Sequence, residues 1–163
     1  MSLFFIITAI VISLLEILFS KKPKTKSRVL GVFLLNYLIF IIGATGIMGF
    51  YGHTFMADQI AESIGWPTGS PFQFEVAAAN LAVGVAGIMC IWCRGNFWLA
   101  TIIINGIFLF VDGIGHINQI ITAHDYAPNN AGVILYTDLI VPIAGLILYI
   151  LYMKSVKEDK VSG

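Results

Sequence analysis

Long runs of apolar residues alternate with short polar segments along the chain, and five of these runs approach the length of a membrane span. An α-helix needs about 20 apolar residues to cross the hydrocarbon core of a bilayer. The pattern predicts an all-α integral membrane bundle of five transmembrane helices in a single domain. The predicted spans cover residues 3–20, 29–50, 71–93, 97–121 and 132–153, and a polar tail follows over residues 154–163.

The segment between the second and third spans, residues 51–69, is more polar but keeps a helical pattern. Ile60 and Ile64 recur at helical spacing after Phe55, and Trp66 closes the segment. Amphipathic helices of this kind lie in the membrane interface, where Trp is enriched. We therefore predict a short interfacial helix here. We expect His53, just before it, to be a solvated loop residue, and the alternative is that it closes the outer pocket as a lid.

The third span opens with a pattern that is typical of a helix start. In Ser70-Pro71-Phe72-Gln73, Ser is suited to the N-cap, Pro to the first helical position and Gln to the third. A Gln at that position can bond back to the N-cap amide and complete a capping box. The pattern predicts that the helix begins at about Pro71.

Composition supports a membrane protein. Hydrophobic residues make up 58% of the 163 residues and charged residues only 11%, and the mean hydropathy is +0.91. An ordinary soluble domain carries about twice as many charged residues. These values exclude a soluble globular domain and predict a multi-pass protein of the cell membrane whose first partner is the lipid bilayer.

The basic residues are confined to three places, although the formal net charge is zero. Lys and Arg accumulate in cytoplasmic segments of membrane proteins. This bias predicts five spans with the N-terminus outside and the C-terminus inside, and it explains the basic run without a nucleic-acid partner. The nine residues are Lys21, Lys22, Lys24, Lys26, Arg28, Arg94, Lys154, Lys157 and Lys160.

The fourth predicted span carries polar residues within its apolar run. Asn105, Asp112, His116 and Gln119 fall on one face of an α-helix. A carboxylate in hydrocarbon costs at least about 2.5 kcal/mol, so this face must point into the bundle or into a water-filled cavity. The spacing of Asp112 and His116, four residues apart, favours an interaction between them.

Other spans place polar groups at a similar depth in the outer half of the membrane. Asp138 lies one turn before Pro142, which cannot donate to the Asp138 carbonyl. Glu75 and Asn80 lie in the third span. The sequence therefore predicts an outer pocket that handles a proton, a metal ion or a small polar ligand. Its predicted residues are Glu75, Asn80, Asp112, His116, Gln119 and Asp138.

The pocket chemistry leaves several functions open. Carboxylate and imidazole groups suit a divalent metal, and His116, Asp112, Asp138 and Glu75 would be its ligands. An imidazole beside a carboxylate can also relay protons. No HExxH zinc motif is present in the sequence. The alternatives are an accessory subunit, in which the polar groups only fix helix packing, and a membrane-embedded enzyme with His116 as acid or base.

Partners beyond the bilayer are a second copy of the chain or a larger membrane complex. Small residues allow helices to approach closely in membranes. Gly43, Gly46 and Gly49 share such a face in the second span. We expect this face either to pack within the chain or to mediate a homo-oligomer.

Three stretches resemble an uncharacterised family of small multi-span bacterial and archaeal membrane proteins. They are SPFQFEVAAANLAVG (70–84), DGIGHINQ (112–119) and NNAGVILYTDLIVP (129–142), which contain the motifs SPFQxE, NL, GH and YTD ahead of a proline. The resemblance covers about residues 60 to 145. It implies that Gln73, Glu75, Asn80, His116 and Asp138 form one constellation, and it implies no activity.

Overall fold

In a computed structural model that describes residues 2–162, the chain forms helices and no strand is found among those residues. Seven α-helices and one π-helical segment follow one another. They are α1 (Ser2–Phe19), α2 (Lys26–Asn36), the π segment (Tyr37–Ala44), α3 (Thr45–Phe55), α4 (Ala57–Ile64), α5 (Phe72–Met89), α6 (Asn96–Ala123) and α7 (Val133–Ser162).

Four helical stretches in the described part of the chain are long and apolar enough to cross a membrane. They are Lys26–Phe55, Phe72–Met89, Asn96–Ala123 and Val133–Val161. A shorter apolar helix, Leu3–Phe19, precedes them and packs against α2 and the π segment. The predicted membrane helical bundle is confirmed, with four full-length candidate spans and one short apolar helix.

The second candidate span runs without interruption through α2, the π segment and α3. It begins at Lys26, earlier than predicted, and ends at Phe55, later than predicted. His53 therefore lies in the last turn of a helix, and the prediction of a loop position is wrong. A short helix, α4, is present where the interfacial helix was predicted, and its C-cap residue Gly65 has a left-handed backbone (φ 88°).

Glycines allow α5 to pack directly against the backbone of the second span. A Cβ atom added at Gly84 would lie 2.7 Å from the Ile47 nitrogen, and one at Gly87 would lie 2.5 Å from the Gly43 nitrogen. The close helix packing expected for the face of Gly43 and Gly46 is therefore found within the chain. Because α5 covers the face of Gly43 and Gly46, this face is used within the chain, and we do not place a homo-oligomer contact on it.

The basic residues occupy one end of the bundle. This end contains the last turn of α1, the start of α2, the α5–α6 turn and the end of α7. Lys26 pairs with Glu158 at 3.3 Å, and the Ser27 hydroxyl donates to Asp159. These contacts join α2 to α7 at the basic end, and the ends of α3 and α6 lie at the opposite end.

A tyrosine joins the π segment to α7 in the core. Tyr37 is buried, and its hydroxyl donates to the Val141 carbonyl at 3.1 Å. The Tyr37 ring lies against Gly145, where an added Cβ would overlap the ring. Glycine at position 145 therefore makes room for the hydrogen bond between the two helices.

We expect Gly145→Ala to lower the free energy of unfolding by about 1–3 kcal/mol, the usual cost of overpacking, because the added methyl displaces Tyr37. Thermal unfolding of detergent-purified protein measures the effect. Gly115→Ala is the matched control, since an added Cβ there meets nothing within 4 Å. Equal melting temperatures for the two variants would show that Tyr37 does not depend on Gly145.

Candidate functional site

A cavity of about 290 Å³ lies at the end of the bundle opposite the basic residues. Helices α3, α5, α6 and α7 form its walls, and residues of α1 and α4 complete it. Its lining residues are Phe5, Thr45, Met48, Gly49, Gly52, His53, Ile60, Ile64, Trp66, Phe72, Val76, Asn80, Phe108, Leu109, Asp112, His116, Asn129, Ile134 and Asp138. The lining is thus largely apolar, with a few polar groups among the apolar side chains.

A buried polar contact in the wall joins α6 to α7. His116 and Asp138 are each 7% exposed, and His116 Nε2 lies 3.7 Å from Asp138 Oδ2. The two helices approach closely because Gly113 leaves room for Leu139, which an added Cβ would meet at 2.9 Å. The structure therefore brings together the two side chains whose convergence the sequence predicted.

A third side chain fixes the orientation of the imidazole. Asn130 is fully buried, and its amide nitrogen donates to the Asp125 carbonyl at 2.7 Å. Its oxygen consequently faces His116 Nδ1 at 2.6 Å. An amide oxygen only accepts hydrogen bonds, so Nδ1 carries a proton and Nε2 faces Asp138.

This arrangement gives the pair a defined proton chemistry. With Nδ1 already protonated, one further proton can reside on His116 Nε2 or on the Asp138 carboxyl group. A proton on Nε2 gives an imidazolium beside a carboxylate, and a proton on Asp138 leaves both groups neutral. His116 and Asp138 can therefore hold one proton at the wall of the cavity.

Asp112 lies next to this pair but does not take the expected role. It is exposed, lines the cavity and interacts electrostatically with His116, His53 and Asp138. The sequence favoured a direct partnership of Asp112 with His116. In the structure, Asn130 and Asp138 are the contacts of the imidazole, and Asp112 is a second carboxylate in the same wall.

His53 lines the cavity, which agrees with the alternative expectation for this residue and not with a solvated loop position. Its Nδ1 is hydrogen-bonded to the Gln73 oxygen, and Gln73 is 4% exposed. The contact joins the end of α3 to the start of α5. A signal was present in the sequence, since Gly43, Gly46, Gly49 and Gly52 continue a helical pattern to His53 without an intervening proline.

The start of α5 lies within one residue of the prediction, but its capping differs from the predicted capping box. Helix α5 begins at Phe72, and Pro71 rather than Ser70 occupies the N-cap position. The Ser70 hydroxyl accepts from the Phe72 amide at 3.3 Å. Gln73 does not complete a capping box, because its side chain oxygen is bonded to His53.

The remaining predicted site residues differ in position. Asn80 lines the cavity, donates to the Val76 carbonyl at 3.0 Å and packs against Gly49. Glu75 is exposed and lies outside the lining. Gln119 also lies outside the lining, and its buried oxygen has no hydrogen-bond partner among residues 2–162.

The four predicted metal ligands are not assembled into one group. Within residues 2–162, no three His, Cys, Asp or Glu side chains are placed so that they could hold a metal ion together. Glu75 lies outside the cavity lining that contains the other three, and His116 and Asp138 are in contact at 3.7 Å. The geometry supports a two-residue polar pair beside a cavity more directly than a four-ligand metal centre.

The comparisons with known proteins give a family. No curated protein matches the sequence, and no solved structure matches the chain. A protein-family model described as "Family of unknown function (DUF6790)" matches residues 1–158. This match accords with the resemblance to an uncharacterised family. Because it covers nearly the whole chain, the chain belongs to this family of unknown function, DUF6790.

Proposed function

We propose that this chain is a five-helix membrane protein that binds a small polar ligand in the cavity between α3, α5, α6 and α7. The observation that carries the proposal is the buried pair of His116 and Asp138, 3.7 Å apart, in the wall of a cavity of about 290 Å³. Binding sites for small molecules are mostly apolar cavities with a few convergent polar groups. This cavity has that composition.

The proposed orientation places the cavity on the outer side of the membrane. All basic residues lie at the other end of the bundle, and the positive-inside bias assigns that end to the cytoplasm. Helix α1 has 18 residues, which corresponds to a length of about 27 Å. This length approaches the hydrocarbon thickness of about 30 Å, so we include α1 as the first of five spans.

The packing of the inner half favours a one-sided pocket over a continuous path. Leu34, Leu38 and Trp98 are almost fully buried and belong to one apolar cluster. Trp98 also donates to the Cys90 carbonyl at 2.9 Å, close to the turn at the basic end. These large side chains fill the space between the cavity and the basic end, which supports binding from one side.

We expect a cysteine at position 45 to react with small thiol reagents applied from outside. Thr45 lines the cavity about 12 Å along the helix from His53, and Thr→Cys is a small change. The experiment uses a chain with Cys90→Ala and Cys93→Ala in sealed right-side-out vesicles. Two membrane-impermeant methanethiosulfonates are applied, one with a trimethylammonium group and one with a sulfonate, and mass spectrometry measures the labelled fraction.

Thr122→Cys is the matched control. Thr122 is exposed near the end of α6 that lies on the cavity side of the bundle, and it is absent from the cavity lining. Labelling of position 45 by at least one reagent supports an open outer cavity. If position 122 is labelled and position 45 resists both reagents, the proposed binding cavity is refuted. If both positions are labelled only in inside-out vesicles, the cavity faces the cytoplasm and the proposed orientation is wrong.

A further inference from the structure

We infer that the ligand of this cavity is a small organic ammonium ion, a cation with an apolar body. The inference rests on the proposed function and adds the chemical class of the ligand. Three features of the wall support it, namely its charge, the unsatisfied state of one carboxylate and its aromatic side chains.

Apart from two histidines, the ionisable side chains of the cavity lining are acidic. Asp112 and Asp138 line the cavity, and no Lys or Arg belongs to its lining in the part of the chain that the structure describes. His53 and His116 are the other titratable groups there, and each already uses Nδ1 in a hydrogen bond. A cation is therefore attracted to this wall, and an anion is repelled.

When His116 and Asp138 hold no shared proton, the carboxylate of Asp138 has no hydrogen-bond donor among residues 2–162. Its basic neighbour is His116 Nε2, and the separation of 3.7 Å exceeds hydrogen-bond distance. Asp138 is nevertheless only 7% exposed. A buried carboxylate needs donors or a counter-charge to offset its desolvation. The N–H groups of an ammonium ion in the cavity supply both.

Apolar and aromatic side chains form the rest of the wall. Phe72 and Phe108 lie in the lining together with Trp66, and aromatic faces attract organic cations. The volume of about 290 Å³ is near the lower bound of ligand cavities, which limits the ligand to a small molecule. A bare metal ion gains little from such a wall, because it needs several converging oxygen or nitrogen ligands.

Three probes with the same skeleton test the inference. Phenethylammonium, 2-phenylethanol and phenylacetate share a phenyl ring and a short chain but differ in charge. Isothermal titration of the full chain in detergent measures their dissociation constants. We expect phenethylammonium to bind at least about tenfold more tightly than 2-phenylethanol, the lower range of couplings between close charges, and phenylacetate to bind most weakly.

Variants connect the preference to the wall. Asp138→Asn is expected to remove most of the difference between the cation and the alcohol. Asp112→Asn is expected to reduce this difference in affinity. It gives a second measurement at an exposed position, whereas Asp138 is buried. Glu62→Gln removes an exposed carboxylate from α4, outside the lining, and is expected to leave the preference unchanged.

The outcomes separate this inference from the proposed function. Equal binding of the cation and the alcohol would overturn the ammonium assignment. A preference that survives in both aspartate variants would also overturn it. If none of the probes binds while position 45 reacts with thiol reagents, the cavity is open but the ligand class is wrong. If position 45 does not react, the proposed function itself fails.

Discussion

Replacing Gly84 by alanine is expected to prevent the chain from forming the packed bundle. The added Cβ would lie 2.7 Å from the Ile47 nitrogen, 2.9 Å from the Gly46 carbonyl carbon and 3.1 Å from the Gly43 oxygen. All three atoms belong to the backbone of the second span, so no side-chain rotation relieves the overlap. The helices themselves must separate.

The expected loss from Gly84→Ala exceeds the roughly 1–3 kcal/mol of ordinary overpacking. Because a domain is stable by only about 5–15 kcal/mol, separating two packed helices removes a large part of that stability. Separation of α3 from α5 would also pull His53 away from Gln73, since the two residues lie on these helices. Size-exclusion chromatography after detergent extraction measures the monodisperse fraction.

Gly106→Ala is the matched control for Gly84→Ala. Its added Cβ would make an ordinary contact of 3.5 Å with Pro142, so a melting temperature close to that of the unmodified chain is expected. A monodisperse Gly84→Ala protein that melts at the same temperature as the control would mean that α5 and the second span are not in backbone contact at this position.

The second large effect is expected from Asn130→Ala. This residue is fully buried, and its side chain bonds both the Asp125 carbonyl and His116 Nδ1. Its removal leaves a partly buried acceptor and a buried donor without these partners, each at a cost of about 1–3 kcal/mol. We expect a total loss of about 2–6 kcal/mol in the free energy of unfolding.

The same substitution is expected to change the proton position on His116. Without the Asn130 oxygen, nothing among the described contacts holds the proton on Nδ1, and the two neutral tautomers should both be populated. Nitrogen-15 NMR of protein labelled at histidine measures this distribution. Asn118→Ala, at an exposed position of α6, is the control for both readouts. An unchanged His116 spectrum in Asn130→Ala would contradict the assigned orientation.

The helix packing was predictable from the sequence because its physical signals are local. Gly84 and Gly87 share one helical face, and the facing glycines of the second span follow the same rule. The meeting of His116 with Asp138 was also predictable, because a carboxylate in an apolar span must turn inward and the two side chains lie at one depth.

The remaining parts of the site depend on tertiary structure. Asn130 lies in the connection between α6 and α7. The direction of a side chain in a loop cannot be predicted from sequence periodicity. The change of composition after residue 50 favours a loop position for His53, although the helix continues to Phe55. Glu75 falls outside the cavity lining, since depth in the membrane does not fix the rotation of α5 about its axis.

The π segment has a consequence for how related chains could diversify. A π turn closes hydrogen bonds over one residue more than an α turn, so Tyr37–Ala44 acts as an insertion absorbed inside a helix. It sets the rotation of α3, and with it the direction of Thr45 and His53, relative to α2. Gaining or losing one residue here would rotate α3 and change the direction of its cavity-lining side chains. The loops and the basic end would stay unchanged.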